Sequence, residues 1–112
     1  MRLPKTVAIA GRRIRLVIKS FKGVDSDTFG EYFHEDKLIQ INTGLDDSVV
    51  LDTLRHEVME ASLLLSGVGF SENYEQEAVV RCMDEIFFPA WALIFKRIDF
   101  QNEQNSKTEN KV

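Results

Sequence analysis

A short stretch in the middle of the chain, TLRHEVMEAS (residues 53–62), concentrates side chains that can bind a metal ion. It contains His56, Glu57 and Glu60. Residues four apart in an α-helix lie on the same face, so the imidazole of His56 and the carboxylate of Glu60 can reach one cation. Glu57 projects roughly 100° away from His56, beside this pair. The stretch therefore predicts two metal ligands with an adjacent carboxylate that can serve as a general base.

The types of the donor groups determine which ion such a site prefers. Zinc sites favour histidine and cysteine but accept carboxylates. Carboxylate ligands make the site harder and more negative, which favours manganese or iron. We therefore expect a divalent metal, either zinc or one of these two, that is a weaker Lewis acid than in an all-histidine site.

A third ligand is expected from the helix that follows, within ENYEQEAVV (residues 72–80). If Val80, Met83 and Phe87 face the core, Glu77 lies one turn before Val80 on the same inward side. Glu77 would then face the first helix. The predicted metal ligands are His56, Glu60 and Glu77, with Glu57 as the catalytic base.

The first part of the chain predicts β-strands that would support this helix. TVAIAGRRIRLVIKS (residues 6–20) has the pattern of two strands interrupted at Gly11. Ile14, Leu16 and Ile18 alternate with largely polar residues, which indicates one buried face and one exposed face. EYFHEDKLIQIN (residues 31–42) predicts a hairpin with a polar turn near His34.

The remainder of the chain predicts helices. Asp and Ser at residues 46–48 are good N-cap residues, and the helix after them should run to about Ser66, before Gly67. A second helix should begin near Ser71. Pro89 should kink or end it, and the apolar segment that follows is either a third short helix or a continuation.

The order of these elements predicts the fold class. Strands followed by helices indicate an α+β fold, in which a small antiparallel sheet packs against two to three C-terminal helices. Residues 1–98 are expected to form a single domain. Residues 99–112 lack hydrophobic periodicity, which predicts a disordered tail.

Two segments, GEYFHEDKLIQIN and TLRHEVMEASLLLSGVGFSENYEQEAVVRCMDEIF, together resemble the minimal zincin-like proteins of phages and prophages. Those proteins have a short sheet with a hairpin, a helix with H-E-x-x-H or H-E-x-x-E, and a second helix, similar to the core of small metallopeptidases. HEVMEA (residues 56–61) matches the H-E-x-x-E branch, in which the position of Glu77 is often a histidine. The resemblance covers residues 7–88 and implies a zincin-like fold and a metal-dependent peptidase or hydrolase.

Composition argues against several classes of partner. A net charge of −4 and a pI near 5.2 argue against a nucleic-acid-binding protein, which usually presents a basic surface. No apolar run approaches the ~20 residues of a membrane span. Cys82 is the single cysteine, which favours a reducing compartment. We therefore expect a cytoplasmic protein, in the host cytoplasm if it is phage-encoded, with no nucleic-acid or membrane partner.

Two alternatives to an active metal enzyme remain open. Arg55 or Arg81 could neutralise Glu60 directly, which would make the group a structural charge cluster. The C-terminal part is also rich in aromatic residues, and a domain of this size cannot cover all of them. This second feature predicts a protein or peptide partner, either another copy in a homodimer or a larger phage assembly, and is consistent with a non-catalytic accessory or assembly protein.

Overall fold

The computed structural model of the chain describes residues 1–21, 28–68 and 75–100. Strands β1 (Thr6–Ile9) and β2 (Arg12–Ile18) form an antiparallel pair. The tight turn between them places Ala10 and Gly11 at φ of 51° and 74°, a conformation that glycine adopts without strain. The two strands predicted around Gly11 are therefore confirmed.

The predicted hairpin is also confirmed, since β3 (Gly30–Phe33) and β4 (Leu38–Ile41) pair antiparallel. The four strands lie in the order β1-β2-β4-β3, so β3 is an edge strand. The pairing between β2 and β4 is parallel, so the sheet is mixed and not purely antiparallel as the sequence predicts. In this arrangement the chain passes from β2 to the outer edge and returns along β4.

One face of the sheet packs on helix α1 (Asp47–Leu65). Val50, Leu54, Val58 and Ala61 recur at helical spacing on this helix and are all buried. They pack against buried sheet residues of alternating strand positions: Val7, Ile9, Ile14, Leu16, Ile39 and Ile41. The helix ends at Leu65, before Gly67 at φ 86°, as its sequence predicts.

The C-terminal helical segment is continuous but changes its geometry. Helix α2 (Gln76–Cys82) leads into a five-residue π-helical turn (Met83–Phe87), and helix α3 (Phe88–Arg97) follows with Pro89 in its first turn. A π-helical turn holds extra residues, so side chains before it are rotated by roughly 100° from the position that α-helical spacing predicts. Val80 was expected in the core, but it is 57% exposed because of this rotation.

The α+β fold class is confirmed: a small sheet packs against C-terminal helices. The predicted start of the second helix at Ser71 and most of the predicted tail, residues 101–112, lie outside the described residues. Asp99, expected in that tail, instead forms a β-bridge with Arg2. Within the described part of the chain, no helix combines the length and apolarity needed to cross a membrane.

Candidate metal centre

The site is built where α1 lies against the edge strand β3. Gly30 makes this close approach feasible, because a Cβ at this position would lie 2.6 Å from Thr53 Cγ2 and 3.7 Å from Glu57 Cγ. The helix therefore packs directly on the backbone of the strand. As a result, Glu57 is held at the interface between helix and sheet.

His56, Glu57 and Glu60 each offer a donor atom, and these three atoms lie within 4.8 Å of one another. Two ligands bonded to one ion at ~2.1 Å can be up to ~4.2 Å apart, so only small side-chain rotations are needed for shared coordination. His56 and Glu60 are exposed, whereas Glu57 is only 4% exposed. Glu57 is therefore the buried member of the group, next to the two exposed side chains.

An open cleft of about 450 Å³ adjoins the group, and His56 and Glu57 both line it. Phe29 and Val49 contribute apolar surface to its wall. The three donor groups are therefore accessible from a space large enough for a small ligand or an amino-acid side chain.

The pKa of the Glu57 carboxyl group is raised from 4.5 to about 8, chiefly by burial. A side-chain hydrogen bond with Glu60 and the charge of Glu60 contribute to this rise, and the charge of Glu31 contributes less. A hydrogen bond from the backbone N–H of Tyr32 opposes the shift by stabilising the ionised form. Glu57 therefore retains a proton up to pH values at which an ordinary glutamate is fully ionised.

One oxygen of this carboxyl group, Glu57 Oε1, is buried and has no hydrogen-bond partner among the described residues. Such an atom is costly to bury unless a donor or a cation satisfies it. The group combines one imidazole nitrogen with carboxylate oxygens, a donor set that zinc, manganese and iron all accept. The residues thus fit a divalent cation.

The structure does not bring Glu77 into this group. Its side chain is 84% exposed and forms an ion pair with Arg81, at 3.2 Å between Oε1 and Nη2. The inward orientation predicted for Glu77 is therefore wrong. The prediction assumes α-helical spacing back from Phe87, and the π-helical turn at Met83–Phe87 breaks that spacing. The other histidine, His34, lies outside the group and pairs with the Tyr32 hydroxyl at 3.0 Å.

Neither arginine considered as a partner for Glu60 reaches it. Arg55 pairs with Asp52 at 3.2 Å, and Arg81 pairs with Glu77. Among the described residues, Glu60 thus has no ion pair with an arginine.

Two residues that shape the site were not identified from the sequence, Gly30 and Thr53. Thr53 is buried and lies one helical turn before Glu57 on the same face of α1. A polar residue on the core face of a helix is a signal that could have identified it. Gly30 carries no local signal, since its importance depends on contact with a distant part of the chain.

Comparisons of the chain with protein-family models, with curated proteins and with solved structures return no match.

Proposed function

We propose that the chain is a zincin-like, metal-dependent hydrolase, in the simplest case a peptidase, that binds a divalent cation through His56 and Glu60. Glu57 is its acid–base group. The convergence of the three donor atoms within 4.8 Å beside an open cleft is the observation that carries the proposal. The unpartnered Oε1 of Glu57 supports it, because a nearby cation would compensate this buried oxygen.

A bound cation would act as a Lewis acid on the carbonyl group of the bond that is to be cleaved. The contribution of the chain is to hold and move protons beside it. Glu57 is fixed by the Tyr32 N–H and by packing against Gly30, so its carboxylate can accept a proton from the attacking water and then donate one to the leaving group. Phe29 and Val49 offer an apolar wall for a side chain of the substrate.

His56 and Glu60 remain as ligands, while Glu77 is left out because its carboxylate faces solvent. With two ligands from a single helix, the remaining coordination positions would be filled by water and substrate. Cys82, which is buried, is consistent with a reducing, cytoplasmic location.

Titration of chelator-treated protein with Zn²⁺ and Mn²⁺, followed by calorimetry, tests the binding step. We expect one site per chain in the parent and a loss of affinity of about 10- to 100-fold or more in His56→Ala and in Glu60→Gln. Glu77→Gln is the matched control and should bind like the parent. Unchanged affinity in both ligand variants would remove the proposed site.

Cleavage of a pooled fluorogenic peptide library by the metal-loaded protein tests the chemical step. Glu57→Gln should retain the metal and lose about 10²- to 10⁴-fold in rate, the usual contribution of a general base. If the parent binds the metal but cleaves no peptide, the proposed hydrolase activity is refuted and only metal binding remains.

A second candidate function rests on a different observation, the exposed aromatic surface of α3. Phe88 and Phe95 are 58% and 46% exposed. A non-catalytic accessory or assembly protein of phage origin would use this surface to bind a protein partner. In a protein of this kind, His56→Ala should leave the fold and the binding of the partner unchanged.

A further inference from the structure

Strand β1 is the edge of the sheet opposite to β3, and it pairs with no second strand in the described part of the chain. On its inner side, the N–H of Leu16 donates to the carbonyl group of Lys5 at 2.9 Å. Hydrogen-bonded and non-hydrogen-bonded positions alternate along an antiparallel ladder. The register therefore turns the backbone N–H and C=O groups of Thr6 and Ala8 outward, away from β2.

The C-terminal end of the described chain leaves these outward groups uncovered. Asp99 bridges to Arg2, which precedes β1, through two backbone hydrogen bonds of 2.8 and 2.9 Å. The bridge is antiparallel, so the chain leaves Phe100 in the direction away from Thr6. The outer side of β1 is thus an open strand edge.

A cleft of about 350 Å³ adjoins this edge, and we call it the arginine cleft. It is lined by residues 6–8 of β1, by Gly11 and by Arg12, Arg13 and Arg97. All the described residues that line it are neutral or basic, and none of the three arginines forms an ion pair with another described residue. Like charges gathered in one cleft repel each other, and an anionic ligand would remove this repulsion.

The three arginines lie on both sides of the edge strand. Successive side chains of a strand point to opposite faces, so Arg12 shares a face of β2 with the buried Ile14, and Arg13 lies on the other face. Arg97 ends α3, which packs on the face of Ile14 through Ile94. A strand added to β1 would therefore meet Arg12 and Arg97 with one set of its side chains and Arg13 with the other.

The distribution of charge along the chain strengthens this region. Residues 1–21 contain six of the 14 Lys and Arg residues and none of the 18 Asp and Glu residues. The net charge of the whole chain is −4, so the β1–β2 pair is a positive region on an otherwise acidic protein. Edge strands are often protected from pairing by a charged side chain of their own, but TVAI in β1 has none.

We propose that β1 and the arginine cleft bind an extended acidic peptide segment of a partner protein. The segment adds to the four-stranded sheet as a further strand, through backbone hydrogen bonds to Thr6 and Ala8. Its Asp and Glu side chains pair with the arginines. The open strand edge favours a peptide over a nucleic acid, because only a peptide has amide groups that pair with it. The site lies at the opposite edge of the sheet from the proposed metal centre.

Selection from a displayed library of random peptides of about ten residues tests the proposal without assuming a sequence. The parent should enrich peptides rich in Asp and Glu. Fluorescence anisotropy of enriched peptides should show a dissociation constant raised about tenfold or more in Arg13→Glu and in Arg97→Glu. Lys19→Glu is the matched control and should stay within about twofold of the parent. At ~3.3 Å per residue it lies ~20 Å from Arg13, beyond the screening length of physiological salt.

Ala8→Pro tests the addition of a strand. Proline lacks the N–H that points outward at this position, and the bonds between β1 and β2 do not use that group. The variant should unfold at the same urea concentration as the parent and bind the enriched peptides about three- to tenfold more weakly. In the parent, hydrogen exchange at the amides of Thr6 and Ala8 should slow when a peptide binds, while exchange in β3 should not change.

Several results would overturn the proposal. These are a selection that does not enrich acidic peptides, peptide binding that the two arginine variants leave unchanged or that Lys19→Glu weakens equally, and unchanged hydrogen exchange at Thr6 and Ala8. A single-stranded oligonucleotide that displaces the peptides and depends on the same arginines would assign the cleft to a nucleic acid instead. Metal titration of Arg13→Glu should match the parent, so failure of this site and failure of the metal site can be distinguished.

Discussion

Replacing Glu57 by glutamine should remove a large part of the pH dependence of the stability of the metal-free protein. The pKa of Glu57 is raised from 4.5 to about 8 in the folded state, chiefly by burial and then by Glu60. Between these two pH values the folded chain binds more protons than the unfolded chain. The stability contributed by this group is therefore complete below pH 4.5 and is lost as the pH rises through 8.

The magnitude follows from the width of this window. For one proton, the free energy of unfolding can change by at most ~1.4 kcal/mol per pH unit. Across the window from pH 4.5 to about 8, the loss of stability is therefore at most about 5 kcal/mol. Glu57 lines an open cleft, and water there can relieve part of the burial cost. We therefore expect the free energy of unfolding to fall by about 2–3 kcal/mol across the window in the parent, relative to Glu57→Gln.

Urea denaturation at a series of pH values, with a chelator present, measures this difference. Glu57→Gln should be close to the parent in stability near pH 5 and more stable than the parent above pH 8. Glu77→Gln is the control, because Glu77 is exposed and its removal should leave the pH profile parallel to that of the parent. Equal slopes for the parent and Glu57→Gln would show that Glu57 does not titrate in this window, and the reasoning would be refuted.

Three further predictions concern the packing and the site. Gly30→Ala should destabilise the fold by about 1–3 kcal/mol, because the new Cβ would lie 2.6 Å from Thr53 Cγ2, and the second change Thr53→Ser should restore part of the loss in urea denaturation. Phe87→Ala should lower the free energy of unfolding by about 3–5 kcal/mol in the same assay, because this ring is 1% exposed. Phe88→Ala should lower it by less than about 1 kcal/mol, because that ring is 58% exposed. Similar losses in the two variants would contradict the side-chain orientations described for the π-helical turn. Metal binding should release about one proton near pH 7 and fewer above pH 8, because the proton retained by Glu57 must leave as the cation approaches. Calorimetry in buffers of different ionisation enthalpy measures this proton release.

Local patterns in the sequence were sufficient to predict most of the fold. The strands around Gly11, the hairpin near His34 and the extent of α1 all follow from periodicity and turn residues within a few positions. The parallel pairing of β2 with β4 depends on how the chain returns after β3, and no local pattern encodes that path.

The candidate site was predicted only in part, and the errors have physical causes. The approach of His56 to Glu60 follows from helical geometry alone. The orientation of Glu77 was extrapolated at 100° per residue, which fails across the π-helical turn at Met83–Phe87. The burial of Glu57 depends on the absence of a side chain at Gly30, more than 20 residues away in sequence.

The most direct measurement is X-ray absorption spectroscopy of the protein loaded with one equivalent of zinc. The account predicts a first shell of nitrogen and oxygen that includes one imidazole, which is lost in His56→Ala and retained in both His34→Ala and Glu77→Gln. An imidazole signal that survives in His56→Ala, or a first shell of oxygen alone in the parent, would contradict the claim that α1 holds the cation.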